Sequence, residues 1–271
     1  MSGQVNKKEL LIANQKKVVS LLGSMKEQMK MALPAHMTAD RMTRIALTQL
    51  RKTPKLQECD PMSFVAAVMV CSQLGLEIGT LGEAYLVPYG TECNFILGYK
   101  GMISLARRSG EIISLGAHCV YSKDEFSYQY GLNDDLKHVP HMGSERGEFV
   151  GAYAVAKLKG GGYQFEVMGK AEIDNIRKRS KAGGSGPWVT DYDEMARKTA
   201  IRKLFKYLPA SVEMQKAVSY EEQAESQGKT AVEILSDDSD VVADFFEGEM
   251  ASATATSVVV KTQAEDLAGK I

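Results

Sequence analysis

The sequence lacks the features that mark a disulfide scaffold or a membrane protein. Its four cysteines (Cys59, Cys71, Cys93 and Cys119) are scattered and form no C-x-x-C pair. This spacing argues against a disulfide framework or a zinc cluster and fits reduced thiols in the cytosol. No apolar run is long enough to span a bilayer, and the N-terminal residues lack a signal-peptide core. We therefore expect a cytoplasmic protein with no membrane partner.

Motifs for nucleotide hydrolysis and bond cleavage are also missing. There is no G-x-x-x-x-G-K-[ST], and the glycine clusters at 160–162 and 183–186 lack the lysine of a phosphate loop. Neither a nuclease carboxylate motif nor a Ser/His/Asp set is present. His138 and His141 fall in a loop that contains Pro140, and a structural or solvent-exposed role is favoured over a metal site. The sequence predicts a protein that is not an enzyme and has no cofactor.

Charge is divided unevenly along the chain. From Glu221 to the end there are twelve acidic and three basic residues, a net charge near −9. The preceding 220 residues carry 30 basic and 22 acidic residues, a net charge near +8. Three interpretations of the acidic end stay open: it competes with nucleic acid for a basic groove, it docks a partner, or it is a disordered solubilising segment.

The order of the predicted elements indicates an α+β fold, with helices packed on an antiparallel sheet. Thr38 and Asp60 have the character of helix N-caps. Helices are expected at 4–31, 38–52, 61–75, 102–108 and 170–179, and strands at 84–88, 94–97, 112–121, 125–130, 149–159 and 163–168. A flexible loop is expected at 181–187, before the last long helix.

That last helix, expected over residues 191–209, has signals at both ends. Asp191 and Glu194 form a capping-box pattern, and Pro209 supplies the stop. One face is apolar or aromatic, with Ala196, Ala200, Ile201, Leu204, Tyr207 and Leu208. No acidic residue occurs between Glu194 and Pro209 to relieve the repulsion among its cations.

Those cations form a stripe of one sign on roughly the opposite face of the predicted helix. A stripe of this kind indicates a polyanion as its partner, and the alternative is an ordinary solvated face. The stripe comprises Lys198, Arg202 and Lys206, with Arg197 and Lys203 beside it.

Further basic and aromatic residues are grouped elsewhere in the chain. Tyr99 and Lys100 stand between Gly98 and Gly101, where the glycines allow close approach and a helix N-terminus offers N–H groups to an anion. The only tryptophan, Trp188, could stack on a base, but a core position is favoured. The remaining cationic candidates are Arg107, Arg177, Lys178, Arg179 and Lys181.

Three stretches resemble the RecT/Redβ family of phage and prophage single-strand annealing proteins. They are residues 72–78 (SQLGLEI), 98–103 (GYKGMI), and Trp188 with 191–209 (DYDEMARKTAIRKLFKYLP). The similarity covers roughly residues 35–212. It implies an α+β core with a long basic helix, and a protein that binds single-stranded DNA without ATP, pairs it with a complementary strand and assembles into rings or helical filaments.

The resemblance also implies partners and a division of the chain. The expected partners are single-stranded DNA and the annealed duplex, a 5′-to-3′ exonuclease, and the host single-strand-binding protein, which the C-terminal region contacts. A magnesium dependence of DNA binding stays open. We expect a helical segment at 1–34, which contacts another subunit or packs on its own core. We expect an annealing core at 35–220. The last region, 221–271, is acidic and is expected to be either disordered or a small helical appendage.

The candidate DNA-binding residues follow from the basic and aromatic pattern together with this resemblance. The alternative function is a protein that coats single-stranded DNA without annealing it. The candidates are Tyr99, Lys100, Gly101, Arg107, Arg177, Lys178, Arg179, Lys181, Trp188, Arg197, Lys198, Arg202 and Lys206.

Overall fold

The structure is a computed structural model that describes residues 2–180, 183–184, 186–209 and 211–238. A 3-10 turn, Pro54–Glu58, and a π-helical turn, Gln223–Gln227, accompany the helices. The helices are α1 (Ser2–Ser24), α2 (Lys26–Ala32), α3 (Ala39–Lys52), α4 (Pro61–Leu74), α5 (Tyr99–Arg108), α6 (Lys170–Arg179), α7 (Pro187–Thr190), α8 (Tyr192–Phe205), α9 (Val212–Glu222) and α10 (Ala231–Asp238).

The strands form three small sheets, and β3 with β6, β6 with β7, and β4 with β5 pair in antiparallel orientation. Strand β1 pairs with β2, β4 pairs with β5, and the third sheet has the order β3-β6-β7. The strands are β1 (Ala84–Tyr89), β2 (Glu92–Leu97), β3 (Ile112–Tyr121), β4 (Glu125–Gln129), β5 (Asp135–Val139), β6 (Phe149–Leu158) and β7 (Tyr163–Gly169). The predicted α+β class is confirmed. No helix in the described ranges is long and apolar enough to cross a membrane.

The first of two compact units is mostly helical and contains residues 2–79, 86–96 and 226–238. Its central helix α4 is buried along nearly its whole length, as its apolar sequence predicts. Asp60 accepts a hydrogen bond from the Ser63 backbone N–H at 2.9 Å, and Gly75 ends the helix in the left-handed conformation (φ 60°). The predicted N-cap at Thr38 is also confirmed, since its hydroxyl accepts from the Arg41 N–H.

The same unit holds three of the four cysteine thiols, and all four thiols are free and buried. Burial raises the pKa of Cys59 to about 11 and that of Cys119, in the other unit, to about 12. Burial also raises the pKa of Cys71 and Cys93 far above the ordinary value of a thiol. The expectation of reduced, unpaired cysteines is confirmed.

The second unit, residues 80–85 and 97–225, is built on the β3-β6-β7 sheet. Cys119, Ala152 and Met168 are register partners across the three strands, so their side chains share one face. Helix α8 packs across that face and contacts all three strands. The Cys119 thiol donates to the backbone oxygen of Asp193 in the first turn of α8.

The β4-β5 hairpin covers the opposite face of this sheet with aromatic side chains. Phe126 stacks on Tyr153 with a ring-centroid distance of 5.6 Å, and Tyr130 stacks on Phe165 at 5.2 Å. The sequence analysis predicted a loop where β5 lies, which is wrong. The register pairs His138 with Phe126, and the His138 ring lies within hydrogen-bonding distance of the Tyr153 hydroxyl at 3.2 Å.

The buried Asp124 carboxylate stabilises the loops beside this hairpin through hydrogen bonds. Asp124 accepts from the backbone N–H groups of Tyr121 (2.9 Å) and His141 (2.8 Å) and from the Arg146 guanidinium (3.1 Å). The Arg146 guanidinium holds the pKa of Asp124 well below its usual range. His138 Nε2 lies 3.2 Å from the same carboxylate, so the preferred structural role of His138 is confirmed.

The long basic helix predicted over residues 191–209 is shorter than expected. It is α8, 14 residues long, and it ends at Phe205. The capping-box prediction is wrong, because the Asp191 side chain makes no cap hydrogen bond and instead accepts from the Thr190 hydroxyl at 2.5 Å. Tyr207, expected on the apolar face, is 57% exposed, whereas Leu208 is buried.

Helix α5 begins three residues earlier than predicted, and the glycines at its start have a packing function. The Gly98 N–H donates to the Glu83 carbonyl at 2.8 Å. A Cβ at Gly98 would lie 2.0 Å from the Gly82 carbonyl oxygen, and a Cβ at Gly101 would lie 2.2 Å from the Glu83 carbonyl oxygen. The close approach that these glycines permit is that of the 82–83 backbone.

The region after residue 210 is helical where it is described. Helix α9, which the sequence analysis did not predict, packs on α5, and α10 packs on α4 within the helical unit. Ala231, Ile234 and Leu235 of α10 are buried within the helical unit. The rest of the predicted acidic region, from residue 239, lies outside the described residues.

Replacing Asp124 with Asn should lower the free energy of unfolding by about 2–3 kcal/mol at neutral pH, because Arg146 loses a buried anionic partner. The folded-state pKa of Asp124 is depressed, so its contribution is complete above the unfolded value of about 3.9 and is lost as the pH falls below it. Urea unfolding should show a gap between wild type and variant that is constant from about pH 5 to about pH 7 and shrinks below about pH 4.

Glu125→Gln is the matched control for this substitution. Glu125 is an exposed carboxylate that pairs with Lys137 at 2.8 Å, so its loss should change stability little. A gap for Asp124→Asn that stays constant down to the lowest pH would contradict the assignment.

Gly101→Ala should lower the free energy of unfolding by about 1–2 kcal/mol. The clash of the new Cβ with the Glu83 carbonyl outweighs the gain in helix propensity. Thermal unfolding followed by circular dichroism measures the effect. Gly160→Ala is the control, since a Cβ there would meet no atom within 4 Å. Equal melting temperatures for the two variants would refute the packing role of Gly101.

Candidate nucleic-acid interface

Helix α5 presents two of the predicted cations on one face. Lys100 and Arg107 are seven residues apart, which places them on the same side of the helix, and both are exposed. Together with Tyr99 and Ile103 they line an open depression of about 630 Å³. The full lining is Glu83, Tyr99, Lys100, Ile103, Ser104, Arg107 and Arg108.

The chemistry of this depression suits a nucleotide better than a bare anion. Its cations can neutralise phosphate oxygens, while Tyr99 and Ile103 offer a partly apolar surface to a base. Glu83 places one carboxylate in the lining and reduces the net positive charge. Sequence analysis did not identify Glu83, which precedes a strand and belongs to no basic or aromatic pattern.

The cations at the end of α6 divide into one structural and two exposed residues. Arg177 Nε donates to the Gly183 carbonyl at 2.8 Å, and its guanidinium lies 5.9 Å from the centre of the Tyr192 ring. Lys178 and Arg179 are exposed. All three stand in the last turn, where cations also stabilise the carbonyl end of a helix. Lys181, the fourth predicted cation, lies outside the described residues.

Two of the three cations in the predicted stripe of α8 face a carboxylate rather than open solvent. Lys198 is only 9% exposed, and its Nζ lies 2.6 Å from Glu221 Oε1 on α9. Arg202 Nε lies 4.0 Å from the other oxygen of the same carboxylate. Lys206, just past the end of α8, is exposed. The acid that relieves the repulsion along this helix therefore comes from α9, a partner that the local sequence does not reveal.

The cations beside the stripe are also paired. Arg197 forms an ion pair with Glu194 one turn earlier in the helix. Lys203 Nζ lies 3.2 Å from Glu166 on β7 and 3.1 Å from Glu172 on α6. Although burial acts to lower it, the hydrogen bonds that Lys203 donates to these two carboxylates raise the pKa of Lys203. Each of the four cations within α8 thus has a carboxylate at 4.0 Å or less.

Two further candidates occupy buried positions. Trp188 is 4% exposed and meets Tyr192 edge-on at 6.1 Å, which agrees with the favoured core position rather than with base stacking. Gly101 is buried against the Glu83 backbone. Trp188 packs on the start of α8, and Gly101 lies within α5. Neither offers an open surface to a base.

The structure therefore separates the candidate residues into two groups. Within the described part of the chain, Lys100, Arg107, Lys178, Arg179 and Lys206 are exposed and form no ion pair with a carboxylate. The other candidate cations among the described residues contact protein groups; they are Arg177, Arg197, Lys198 and Arg202. No group of three or more His, Cys, Asp or Glu side chains among the described residues is arranged to hold a metal ion.

One family model and two known proteins match most of this chain. A family model described as the RecT family matches residues 40–234. Protein RecT of Escherichia coli (strain K12) is 56% identical over 208 residues, which are 73% of this chain and 77% of that protein. The protein called Uncharacterized protein YqaK in Bacillus subtilis (strain 168) is 33% identical over 187 residues, 68% of this chain and 65% of that protein. The family match contains all of α5, α6 and α8, and the chain belongs to the RecT family.

Proposed function

We propose that this protein is an ATP-independent single-strand annealing protein of phage-type homologous recombination. Its RecT-family membership across residues 40–234 carries the proposal. That match includes each motif on which the resemblance to annealing proteins rests. The exposed cations of α5, which line a partly apolar depression, and the exposed cations of α6 provide surface chemistry that suits a nucleic-acid strand.

Annealing requires no covalent step, so the protein has to overcome electrostatic repulsion between two strands. Cations that bind phosphates release condensed counterions and lower that repulsion. A strand held by its backbone keeps its base edges available for a complementary strand. The proposed contacts of α5 suit this task, because Lys100 and Arg107 stand apart on one helix face with Tyr99 near them.

The exposed cations are the first proposed contacts with the DNA backbone. This group consists of Lys100, Arg107, Lys178, Arg179 and Lys206. Lys198 and Arg202 stay in the proposal on the condition that Glu221 releases them. Arg177 and Arg197 would serve chiefly to hold the elements in place, as do Gly101 and Trp188, and Lys181 stays a sequence-based candidate.

The assembly and the partners belong to the same proposal. We infer that the protein acts as a homo-oligomer, a ring or a helical filament, on single-stranded DNA and the annealed duplex. It would work beside a 5′-to-3′ exonuclease and contact the host single-strand-binding protein through its C-terminal region. The acidic character of residues 221–271 is the sequence feature that supports this docking role.

Annealing itself is the first test. Two complementary oligonucleotides, one with a fluorophore and the other with a quencher, should pair faster with the protein than without it, in the absence of ATP. The assay should be repeated with magnesium and with EDTA. Slower pairing together with tight binding would favour the coating protein, and pairing that requires a nucleoside triphosphate would refute the proposal.

The double variant Lys100→Gln/Arg107→Gln should weaken binding to single-stranded DNA. Each lost phosphate contact should reduce the slope of log K against log salt concentration by about 0.7. Fluorescence anisotropy with a labelled oligonucleotide at several salt concentrations measures both effects. The matched control is Lys123→Gln/Lys159→Gln, which removes the same charge from exposed loop positions. Equal losses in the two double variants would remove α5 from the proposed interface.

A further inference from the structure

A carboxylate occupies the cationic side of α8. Glu221 is 2% exposed, and its two oxygens face Lys198 at 2.6 Å and Arg202 at 4.0 Å. It stands in the last turn of α9, whereas both cations belong to α8. The contact is therefore a tertiary one, in which Lys198 is buried and Arg202 stays partly exposed.

The position of Glu221 is chemically that of a phosphate group. A carboxylate and a phosphate attract lysine and arginine through the same kind of negatively charged oxygen atom, and the contacts of Glu221 are ion pairs of this kind. Lys198 and Arg202 are four residues apart on one helix, which is the spacing that allows two side chains to share a single anion. An incoming DNA phosphate would compete for these cations with the carboxylate already present.

Helix α9 brings a second acid towards the other basic helix. It packs on α5, and Glu213 in its first turn is close enough to Arg108 for that charge to act on it. The local backbone N–H and the Ser211 hydroxyl, with a smaller effect from Arg108, lower the pKa of Glu213. One short helix thus places acids near cations of both α5 and α8.

The attachment of α9 is limited in extent. The helix has 11 residues, and its buried apolar side chains are Met214, Ala217 and Tyr220. A depression of about 320 Å³ lies between α9 and the end of α8, and Phe205, Leu208 and Met214 are among its lining residues. Helix α9 is followed by the π-helical turn, which interrupts regular helical hydrogen bonding. A helix held in this way can separate from its neighbours without disturbing the β3-β6-β7 sheet.

We propose that α9 is an internal competitor of DNA, in which Glu221 holds Lys198 and Arg202 until a DNA strand displaces it. The inference rests on the proposed function, because it assumes that the protein binds single-stranded DNA. With α9 docked, the strand meets only the exposed cations. With α9 released, the cations of α8 join the interface. The apparent affinity of the interface that includes α8 is then its intrinsic affinity multiplied by the fraction of molecules in which α9 is released.

Glu221→Gln tests the competition directly. The substitution removes the charge but keeps the shape of the side chain, so single-stranded DNA should bind about 3- to 10-fold more tightly at constant salt. Glu222→Gln is the matched control, since it removes one negative charge from the adjacent, exposed position. Anisotropy with the same labelled oligonucleotide measures both variants, and thermal unfolding verifies that each is folded.

The gain should depend on the cations that Glu221 holds. In a Lys198→Gln/Arg202→Gln background, adding Glu221→Gln should no longer increase affinity. A gain that persists there, or one that Glu222→Gln reproduces, would show a general charge effect and overturn the proposal. Weaker binding by Glu221→Gln would also overturn it, because the carboxylate would then support the interface.

Hydrogen exchange of the wild-type protein provides a test that needs no variant. Amides of α9 should exchange faster when a saturating oligonucleotide is present, while those of the β3-β6-β7 sheet stay protected. Unchanged or slower exchange in α9 would refute the release. Wild-type protein that binds no oligonucleotide would overturn the proposed function itself. Wild-type binding with equal affinities for Glu221→Gln and Glu222→Gln would overturn only the competition.

Discussion

Close packing between small side chains determines where α8 lies in the second unit. Ala152, Ala154 and Ala156 are fully buried on the sheet face that α8 covers, and Ala196 and Ala200 are fully buried on the helix. Because none of these side chains extends beyond one methyl group, the helix and strand backbones can approach closely. A larger residue at any of these positions would move the helix outward. The contacts made by the rest of α8 depend on this separation.

Charge neutralisation follows from that placement. Acidic side chains from the neighbouring elements pair with the cations of α8. Lys203 pairs with acids of β7 and α6, and Lys198 and Arg202 lie near an acid of α9. The helix itself provides Glu194 for Arg197. The helix thus functions as an internal connection between elements rather than as an open basic surface. Among the exposed candidate cations, four lie on the shorter helices α5 and α6, and Lys206 follows the end of α8.

The accuracy of the sequence predictions varied with how local the determining interactions are. The caps at Thr38 and Asp60 involve side chains and backbone groups three residues apart, and both were predicted correctly. Strand β5 was missed because its stability comes from pairing with β4 and from the buried Asp124 beside it, which a proline-containing stretch does not reveal. The helices themselves were mostly identified, since periodic apolar residues determine them.

The candidate site was harder to predict because a charged side chain has no local signal for its partner. The stripe on α8 was identified, but its anion lies nineteen or more residues away on α9. Gly101 was correctly selected as a position that needs close approach, although the approaching group is the Glu83 backbone. Residue type thus indicated which positions are constrained, and only the tertiary structure identified what constrains them.

The burial of the native thiols has a practical consequence for studying motion in this protein. A thiol reacts as the thiolate, and all four cysteines are both shielded and kept protonated at neutral pH. Maleimide dyes or spin labels would therefore attach selectively to a cysteine introduced on the surface. Spectroscopic probes can be placed on α8 and α9 without first removing the natural cysteines.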